Sequence, residues 1–142
     1  MKNKSIILIL GTVLFVYCST KEIPKILINV DHCDYCRMTI SDERYASALV
    51  TQKGRIYKFD DISCMLNYCN ENKNMANKSL FVSDFAQSNV IIPVEQAYFI
   101  QGVKLIGPMQ GHVAAFANRD SAMFYQKKYE AILVEWELVW HE

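Results

Sequence analysis

The chain has 142 residues, of which 51% are hydrophobic, and its 15 basic side chains balance 15 acidic ones. Intrinsic disorder is excluded, because it needs low hydrophobicity and high net charge. A neutral chain without a basic block also argues against nucleic-acid binding. Five cysteines, six methionines and three histidines are the unusual part of the composition, since they supply soft metal-binding atoms.

The N-terminal segment is typical of a secretory signal. Two lysines in residues 1–4 precede the apolar run Ser5–Val16, which is short for a membrane-spanning helix of about 20 residues. The run ends at Cys18, in the position where a bacterial lipoprotein is cleaved and acylated, although Tyr17 is bulkier than the residue usual there. We predict a signal peptide at residues 1–17 and lipid attachment at Cys18. An uncleaved anchor is the alternative, and both interpretations place the rest of the chain outside the cytoplasmic membrane.

The mature chain is predicted to have a lipidated tether at residues 18–25 and one domain at residues 26–142. Removing residues 1–17 leaves 125 residues with a formal charge of −2. That length is sufficient to bury a hydrophobic core.

The predicted elements mix strands and helices without a regular alternation. One helix is expected from Ile62 to Asn70, capped by Asp60-Asp61, because its apolar residues recur at i, i+3, i+4 and i+7. A second helix is expected from Asn118 or Asp120 to Tyr129. The strands are predicted at Ile26–Val30, Tyr45–Val50, Arg55–Phe59, Leu80–Val82, Gln96–Ile100, His112–Phe116 and Ile132–Trp140. The order strand-strand-helix-strand, repeated once, predicts an α+β domain with a mostly antiparallel sheet.

The segment Asp31–Met38 contains the first candidate metal site. Two residues separate Cys33 from Cys36, and the thioether of Met38 follows. Thiolate and thioether ligands together favour Cu(I), whereas a zinc site needs a second Cys or His pair that is missing here. Three alternatives remain: a structural Cys33–Cys36 disulfide, a thioredoxin-like redox pair, and a core-filling role for Met38.

Cys64 is the second candidate, because it lies in the first turn of the predicted helix. A helix N-terminus lowers the pKa of a thiol and favours the thiolate form, which makes Cys64 the better functional candidate on this helix. Met65 and Cys69 lie on the apolar face and are expected in the core. Asp60 and Asp61 are interpreted as caps rather than ligands.

The loop Gly107–His112 is the third candidate. It places the thioether of Met109 and the imidazole of His112 three residues apart, and both are acceptable Cu(I) ligands. A structural role for His112 is an equal alternative. His141 is expected to be solvated, and the Trp136/Trp140 pair to serve in packing.

These motifs, in this order and spacing, resemble the NosL family over roughly residues 26–130. The motifs are Cys33-x-x-Cys36-x-Met38, Phe59-Asp60-Asp61-x-x-Cys64-Met65-Leu66, Pro108-Met109-x-Gly111-His112-x-Ala114-Ala115-Phe116 and Asn118-Arg119-Asp120-Ser121-Ala122. The resemblance implies a bacterial Cu(I)-binding lipoprotein that assists assembly of the copper centre of nitrous oxide reductase. It also implies a fold similar to that of the organomercurial lyase MerB, with paired ββαβ units.

The expected function is therefore that of a lipid-anchored, extracytoplasmic copper chaperone and not an enzyme. Its partners would be nitrous oxide reductase, another cuproenzyme or a maturation and transporter complex, and a homo- or heterodimer is possible. An enzyme of the thiol or organomercurial-lyase kind and a structural disulfide lipoprotein are the alternatives. The chain departs from the family at Arg37 and Ser63, where glycine is common, and at Tyr129-Glu130-Ala131, where a Gly-Gly is usual. The expected Cu(I) ligands are Cys33, Cys36, Met38, Met109, His112 and Cys64.

Overall fold

The computed structural model describes residues 22–73 and 78–140. The predicted signal peptide, Cys18 and His141 lie outside the described residues. Among those described, no helix is both long and apolar enough to cross a bilayer.

The first half of the domain is a four-stranded antiparallel sheet with one helix. Its strands are arranged in the order β2-β1-β3-β4. A tight turn joins β1 to β2, and Gly54 supplies the positive φ of 82° that this turn requires. The elements are β1 (Ser47–Val50), β2 (Ile56–Phe59), α1 (Ile62–Glu71), β3 (Ser79–Ser83) and β4 (Ile91–Pro93).

The second half repeats the ββαβ pattern in a smaller sheet. Its three strands are antiparallel, in the order β6-β5-β7. A 3-10 turn at Val94–Gln96 connects the two halves, and a short helix ends the described chain. The elements are β5 (Tyr98–Gln101), β6 (Val113–Phe116), α2 (Arg119–Tyr129), β7 (Ile132–Val134) and α3 (Trp136–Trp140). The predicted α+β class, with two ββαβ units and antiparallel sheets, is confirmed.

Two buried clusters of side chains hold these layers together. In the first, Met65 on α1 packs among Leu49, Phe59 and Phe81 of the larger sheet. The second is centred on Phe116 of β6 and includes the side chains Tyr45, Phe85, Ile100, Leu105 and Ala122. Because the apolar face of α1 rests on its sheet, the helix N-terminus is held at a fixed place beside the end of β2.

The predicted strand Ile26–Val30 is wrong. The chain turns there instead: Val30 and Asp31 N–H groups donate to the Leu27 carbonyl, and the Asp31 carboxylate accepts the Leu27 N–H at 2.6 Å. Asn29 has a φ of 62°. A side-chain carboxylate that accepts a hydrogen bond from a nearby backbone N–H competes with the hydrogen bonds of a strand. In this segment the local hydrogen bond forms, and the chain turns.

The predicted strand Ile132–Trp140 is right only for its first three residues. The remainder forms α3, in which Trp136, Val139 and Trp140 have the i, i+3, i+4 spacing of a helix face. Val139 is buried, and both tryptophans pack against the first buried cluster, which includes Phe99 of β5. The aromatic and branched residues of this segment favour a strand, but packing of this face selects a helix.

Candidate metal centre

The cysteine-rich loop closes as a tight turn that places Cys33 inside the protein. The Cys33 N–H donates to the Met38 carbonyl at 2.8 Å, and the Arg37 N–H donates to the Cys33 carbonyl at 3.0 Å. Cys33 is fully buried, while Cys36 is half-buried. The turn therefore presents one enclosed thiol and one that solvent can reach.

Backbone and side-chain groups on β2 and α1 fix the position of this turn. The Lys58 N–H donates to the Asp34 carboxylate at 2.8 Å, and the Asp34 N–H donates to the Lys58 carbonyl at 2.8 Å. The Lys58 ammonium pairs with Asp31 at 2.5 Å. The Tyr35 hydroxyl donates to Glu71, at the end of α1, at 2.9 Å. The loop is thus attached both to the sheet and to the helix that carries the third cysteine.

Cys64 enters the site from the first turn of α1. Asp61 caps this helix, because its carboxylate accepts the Cys64 N–H at 2.9 Å. The carbonyl of Asp61 accepts the Ser47 hydroxyl at 2.9 Å, which links the cap to β1. Cys64 is buried, so the cap and the sheet together hold its thiol in the interior.

The sulfur atoms of Cys33, Cys36 and Cys64 all lie within 4.8 Å of one another. The three cysteines are free in the structure, with no disulfide between them. Three sulfur atoms converging on one point can hold a soft metal ion, since thiolates are the preferred ligands of such ions. The spacing Cys-x-x-Cys predicts the first two of these atoms, and the helix start predicts the third.

Hydrogen bonds make Cys33 the thiolate of this group. A hydrogen bond from the Cys64 thiol is the main cause that lowers the pKa of Cys33 to about 5. The Cys36 N–H, 3.4 Å from the Cys33 sulfur, lowers it further, against the opposing effect of burial. Burial raises the pKa of Cys36. At neutral pH the site therefore carries one negative sulfur and two thiols.

The loop between β5 and β6 lies against the cap of α1. The Met109 N–H donates to the second oxygen of the Asp61 carboxylate at 3.1 Å. Nδ1 of His112 is 2.7 Å from the Leu105 carbonyl. Because a carbonyl can only accept, Nδ1 is the donor in this contact, which leaves Nε2 as the ring nitrogen available to a metal.

Comparisons with known proteins identify the family. The sequence model of the NosL family matches residues 24–142. The chain belongs to the NosL family. No curated protein matches it. Among solved structures, the copper chaperone NosL from Shewanella denitrificans is similar in fold, with a TM-score of 0.69 and 16% sequence identity, and the match covers 82% of this chain and 94% of that one.

One departure of this NosL-family chain has a structural explanation. Arg37, which stands where glycine is common, has a φ of 69°. That value lies in the left-handed region, which glycine enters freely and other residues enter at a cost of roughly 1–2 kcal/mol. The closed turn between Cys33 and Met38 requires this conformation, so the position favours glycine and tolerates arginine.

The expectation that the helix start favours the thiolate form of Cys64 is wrong. The hydrogen bond with Cys33 raises the pKa of Cys64, and burial and the negative charge of Cys33 act in the same direction. Its own N–H group is already taken by the Asp61 carboxylate. The helix N-terminus therefore favours the carboxylate of its cap, and the Cys64 thiol remains protonated.

Asp60 and Asp61 have different roles, which the sequence did not separate. Asp61 is the cap, whereas Asp60 is 1% exposed and neither of its carboxylate oxygens has a hydrogen-bond partner of good geometry among the described residues. Burial, followed by the charge of Cys33, raises the pKa of Asp60 to about 6. Asp60 thus adds a buried acid beside the sulfur cluster.

The six predicted ligands occupy two groups of positions. Cys33, Cys36 and Cys64 converge, and all are enclosed or half-enclosed. The side chains of Met38 and Met109 are 52% and 38% exposed. His112 is exposed and is not part of the three-sulfur cluster. The ligand set stays a prediction, as does lipid attachment at Cys18, which lies outside the described residues.

Proposed function

We propose that this chain is a copper chaperone that binds Cu(I) and passes it to another protein. The observation that carries the proposal is the convergence of Cys33, Cys36 and Cys64, whose sulfur atoms meet within 4.8 Å. Membership of the NosL family and the fold shared with a NosL copper chaperone support the same conclusion. Copper is here the cargo of the protein.

The chemistry of the donors favours Cu(I) over harder ions. Sulfur ligands are polarizable and select Cu(I), while carboxylate and carbonyl sites suit magnesium and calcium. The Cys33 thiolate provides a charged ligand at neutral pH without prior loss of a proton. Cys36 or Cys64 would release its proton as the metal binds, which couples copper loading to pH.

The exposure of the donors suits transfer rather than storage. Cys33 and Cys64 are buried, but Cys36 is half-buried and Met38 and Met109 reach solvent. An acceptor protein can therefore approach the ion from the side of Cys36 and replace one ligand at a time. A fully enclosed site with four ligands would oppose that exchange.

The proposed setting is the periplasm-facing surface of a membrane in the cell envelope. The signal segment and Cys18 support a lipid anchor there, and bacterial lipoproteins carry the several acyl chains that stable anchoring needs. We propose nitrous oxide reductase, or the maturation and transporter complex that serves it, as the recipient of the copper. Family membership supports this assignment.

A second candidate function is that of an organomercurial-lyase-like enzyme. One observation favours it: the buried acid Asp60 lies beside Cys33, and Cys64 adjoins the same thiolate. Two thiols and an acid are what cleavage of a metal–carbon bond by protonation requires. Release of hydrocarbon from an organomercurial by the wild type, lost in Asp60→Asn, would favour the enzyme, while its absence would leave the chaperone.

A competition titration with a Cu(I) chelator tests the proposed function. The reduced wild type should bind one Cu(I) tightly, and Cys33→Ser, Cys36→Ser and Cys64→Ser should each weaken binding. Cys69→Ser is the matched control, because Cys69 is a buried cysteine on the same helix but outside the cluster. Equal binding by all five proteins would contradict the assignment of the site.

Deletion of the gene from a host that respires nitrous oxide tests the recipient. We expect nitrous oxide reductase purified from the deletion strain to contain less copper, and the wild-type gene to restore it. A Cys18→Ala gene should restore it poorly, since that protein would lack the anchor. Full copper content in the deletion strain would contradict this recipient.

A further inference from the structure

One buried carboxylate joins the helix turn that carries Cys64 to the loop that carries Met109. Oδ1 of Asp61 accepts the Cys64 N–H at 2.9 Å, and Oδ2 accepts the Met109 N–H at 3.1 Å. Asp61 is 1% exposed, so water does not compete for either oxygen. Hydrogen bonds to an ionised carboxylate are roughly twice as strong as those between neutral groups. The loop is thus held to the helix through a single side chain.

The loop is shaped for close contact with this carboxylate. A Cβ atom built on Gly111 would lie 3.0 Å from Oδ2 of Asp61 and 2.6 Å from Oγ of Ser63. A Cβ built on Gly107 would lie 3.2 Å from the same Oδ2. The Gly107 N–H donates to the Gly111 carbonyl at 2.9 Å, which closes the loop. Both glycines therefore allow the loop backbone to approach Asp61.

Asp61 does more than a helix cap requires. Asn118 caps α2 with one oxygen, which accepts the N–H groups of Asp120 and Ser121 within its own helix. Asp61 caps α1 with Oδ1 alone. Its Oδ2 accepts a hydrogen bond from Met109, on a loop far along the chain. The second hydrogen bond adds nothing to the end of α1, so its consequence lies in the placement of Met109.

We infer that Asp61 is a positioning residue for copper, which holds Met109 beside the cysteine cluster so that its thioether can complete the metal site. The inference rests on the proposed function. The Met109 side chain is partly exposed and is not fixed by burial, so its backbone anchor is what determines where the sulfur can reach. Without the anchor, the loop would still close through its own hydrogen bonds, but away from Cys64.

Asp61→Asn separates the two hydrogen bonds. Asparagine keeps an oxygen that can cap Cys64, but its amide NH₂ cannot accept the Met109 N–H. We expect the full, reduced chain carrying Asp61→Asn to bind Cu(I) about 10- to 100-fold more weakly, the usual effect of losing a partner of a metal ligand. Met109→Leu should weaken binding to a similar extent. The double variant should be no weaker than either single variant, because both remove the same ligand.

Hydrogen exchange and a second cap provide the controls. The Met109 amide should exchange faster in Asp61→Asn, while the Cys64 amide stays protected. Asn118→Ala removes a cap far from the cluster, and it should lower stability without changing Cu(I) affinity. This control distinguishes loss of positioning from general destabilisation.

The outcomes separate this inference from the proposed function. If the wild type binds Cu(I) tightly and Met109→Leu binds equally well, the inference is overturned while the chaperone function stands. Additive losses in the double variant would overturn it in the same way. If the wild type shows no selective Cu(I) binding, the proposed function fails and the inference fails with it.

Discussion

The sulfur atoms of Cys33 and Cys64 lie within 4.8 Å of each other, and this proximity joins two motifs that are distant in the sequence. Cys33 comes from a closed turn beside β2, and Cys64 from the start of α1. The Cys64 side chain lowers the pKa of Cys33 to about 5, and the same contact raises the pKa of Cys64. The two pKa values thus shift in opposite directions within one cluster.

The first prediction concerns the ionisation of Cys33. In the reduced, metal-free protein, ultraviolet thiolate absorbance should increase through a step centred near pH 5. Cys33→Ser should remove this step. Cys64→Ala should move it to higher pH, because the main hydrogen bond that stabilises the thiolate is gone.

The same ionisation predicts how stability depends on pH. The pKa of Cys33 is lower in the folded protein than in the unfolded chain, so its stabilising effect is complete above pH 9 and is lost as pH falls through about 5. Between pH 6 and pH 9 the free energy of unfolding should therefore rise with pH. The rise should be smaller in Cys33→Ser. An identical pH dependence in wild type and variant would contradict the assigned thiolate.

The raised pKa of Asp60 predicts that the free energy of unfolding falls as pH rises, in a lower pH range. Its pKa is raised from 3.8 to about 6, so the stability it contributes is present below pH 3.8 and is lost as pH rises through about 6. Asp60→Asn should not show this loss. The free energy of unfolding of the variant, relative to wild type, should increase by about 2–3 kcal/mol from pH 4 to pH 7. A constant difference measured by urea unfolding across this range would refute the shifted pKa.

Gly111→Ala tests the close contact between the loop and α1. The new Cβ would lie 2.6 Å from the Ser63 hydroxyl oxygen, so a clash costing about 1–3 kcal/mol is expected. Thermal unfolding should show the loss. The double variant Gly111→Ala/Ser63→Ala should recover part of it, since the nearest atom is removed. No recovery would indicate that the contact with Asp61 dominates.

Met65→Ala tests the packing that fixes α1 on its sheet. Met65 is fully buried, and truncation of such a side chain typically costs about 2–5 kcal/mol. Leu138→Ala is the control, because Leu138 is 63% exposed and exposed truncations usually change stability by less than about 0.5 kcal/mol. Chemical denaturation of both variants makes the comparison. Similar losses in the two would contradict the assigned core.

The sequence predicts the order of elements well where local signals agree with packing. α1 and α2 begin directly after their predicted caps, and β1 and β2 lie within the segments predicted as strands. The predicted strand at Ile26–Val30 is wrong, because the Asp31 carboxylate accepts a hydrogen bond from the preceding backbone. The predicted strand Ile132–Trp140 is wrong after Val134, because tertiary contacts of Trp136 and Trp140 outweigh their preference for strands.

Part of the candidate site can also be predicted from the sequence, and part of it cannot. The sequence shows the Cys-x-x-Cys spacing of Cys33 and Cys36 and the place of Cys64 at a predicted helix start. The structure brings these three cysteines together. Which thiol ionises is not visible, because it depends on a hydrogen bond between distant motifs. The sequence also does not show that Asp61 accepts two hydrogen bonds, since its second donor, Met109, comes from the other half of the domain.

X-ray absorption at the copper edge of the Cu(I)-loaded protein tests the central claim most directly. The account predicts a first shell dominated by sulfur in the wild type and in Cys69→Ser. The shell should lose sulfur in Cys33→Ser, Cys36→Ser and Cys64→Ser. A shell of nitrogen and oxygen, or one that is unchanged in all three cluster variants, would contradict the assignment of copper to this site.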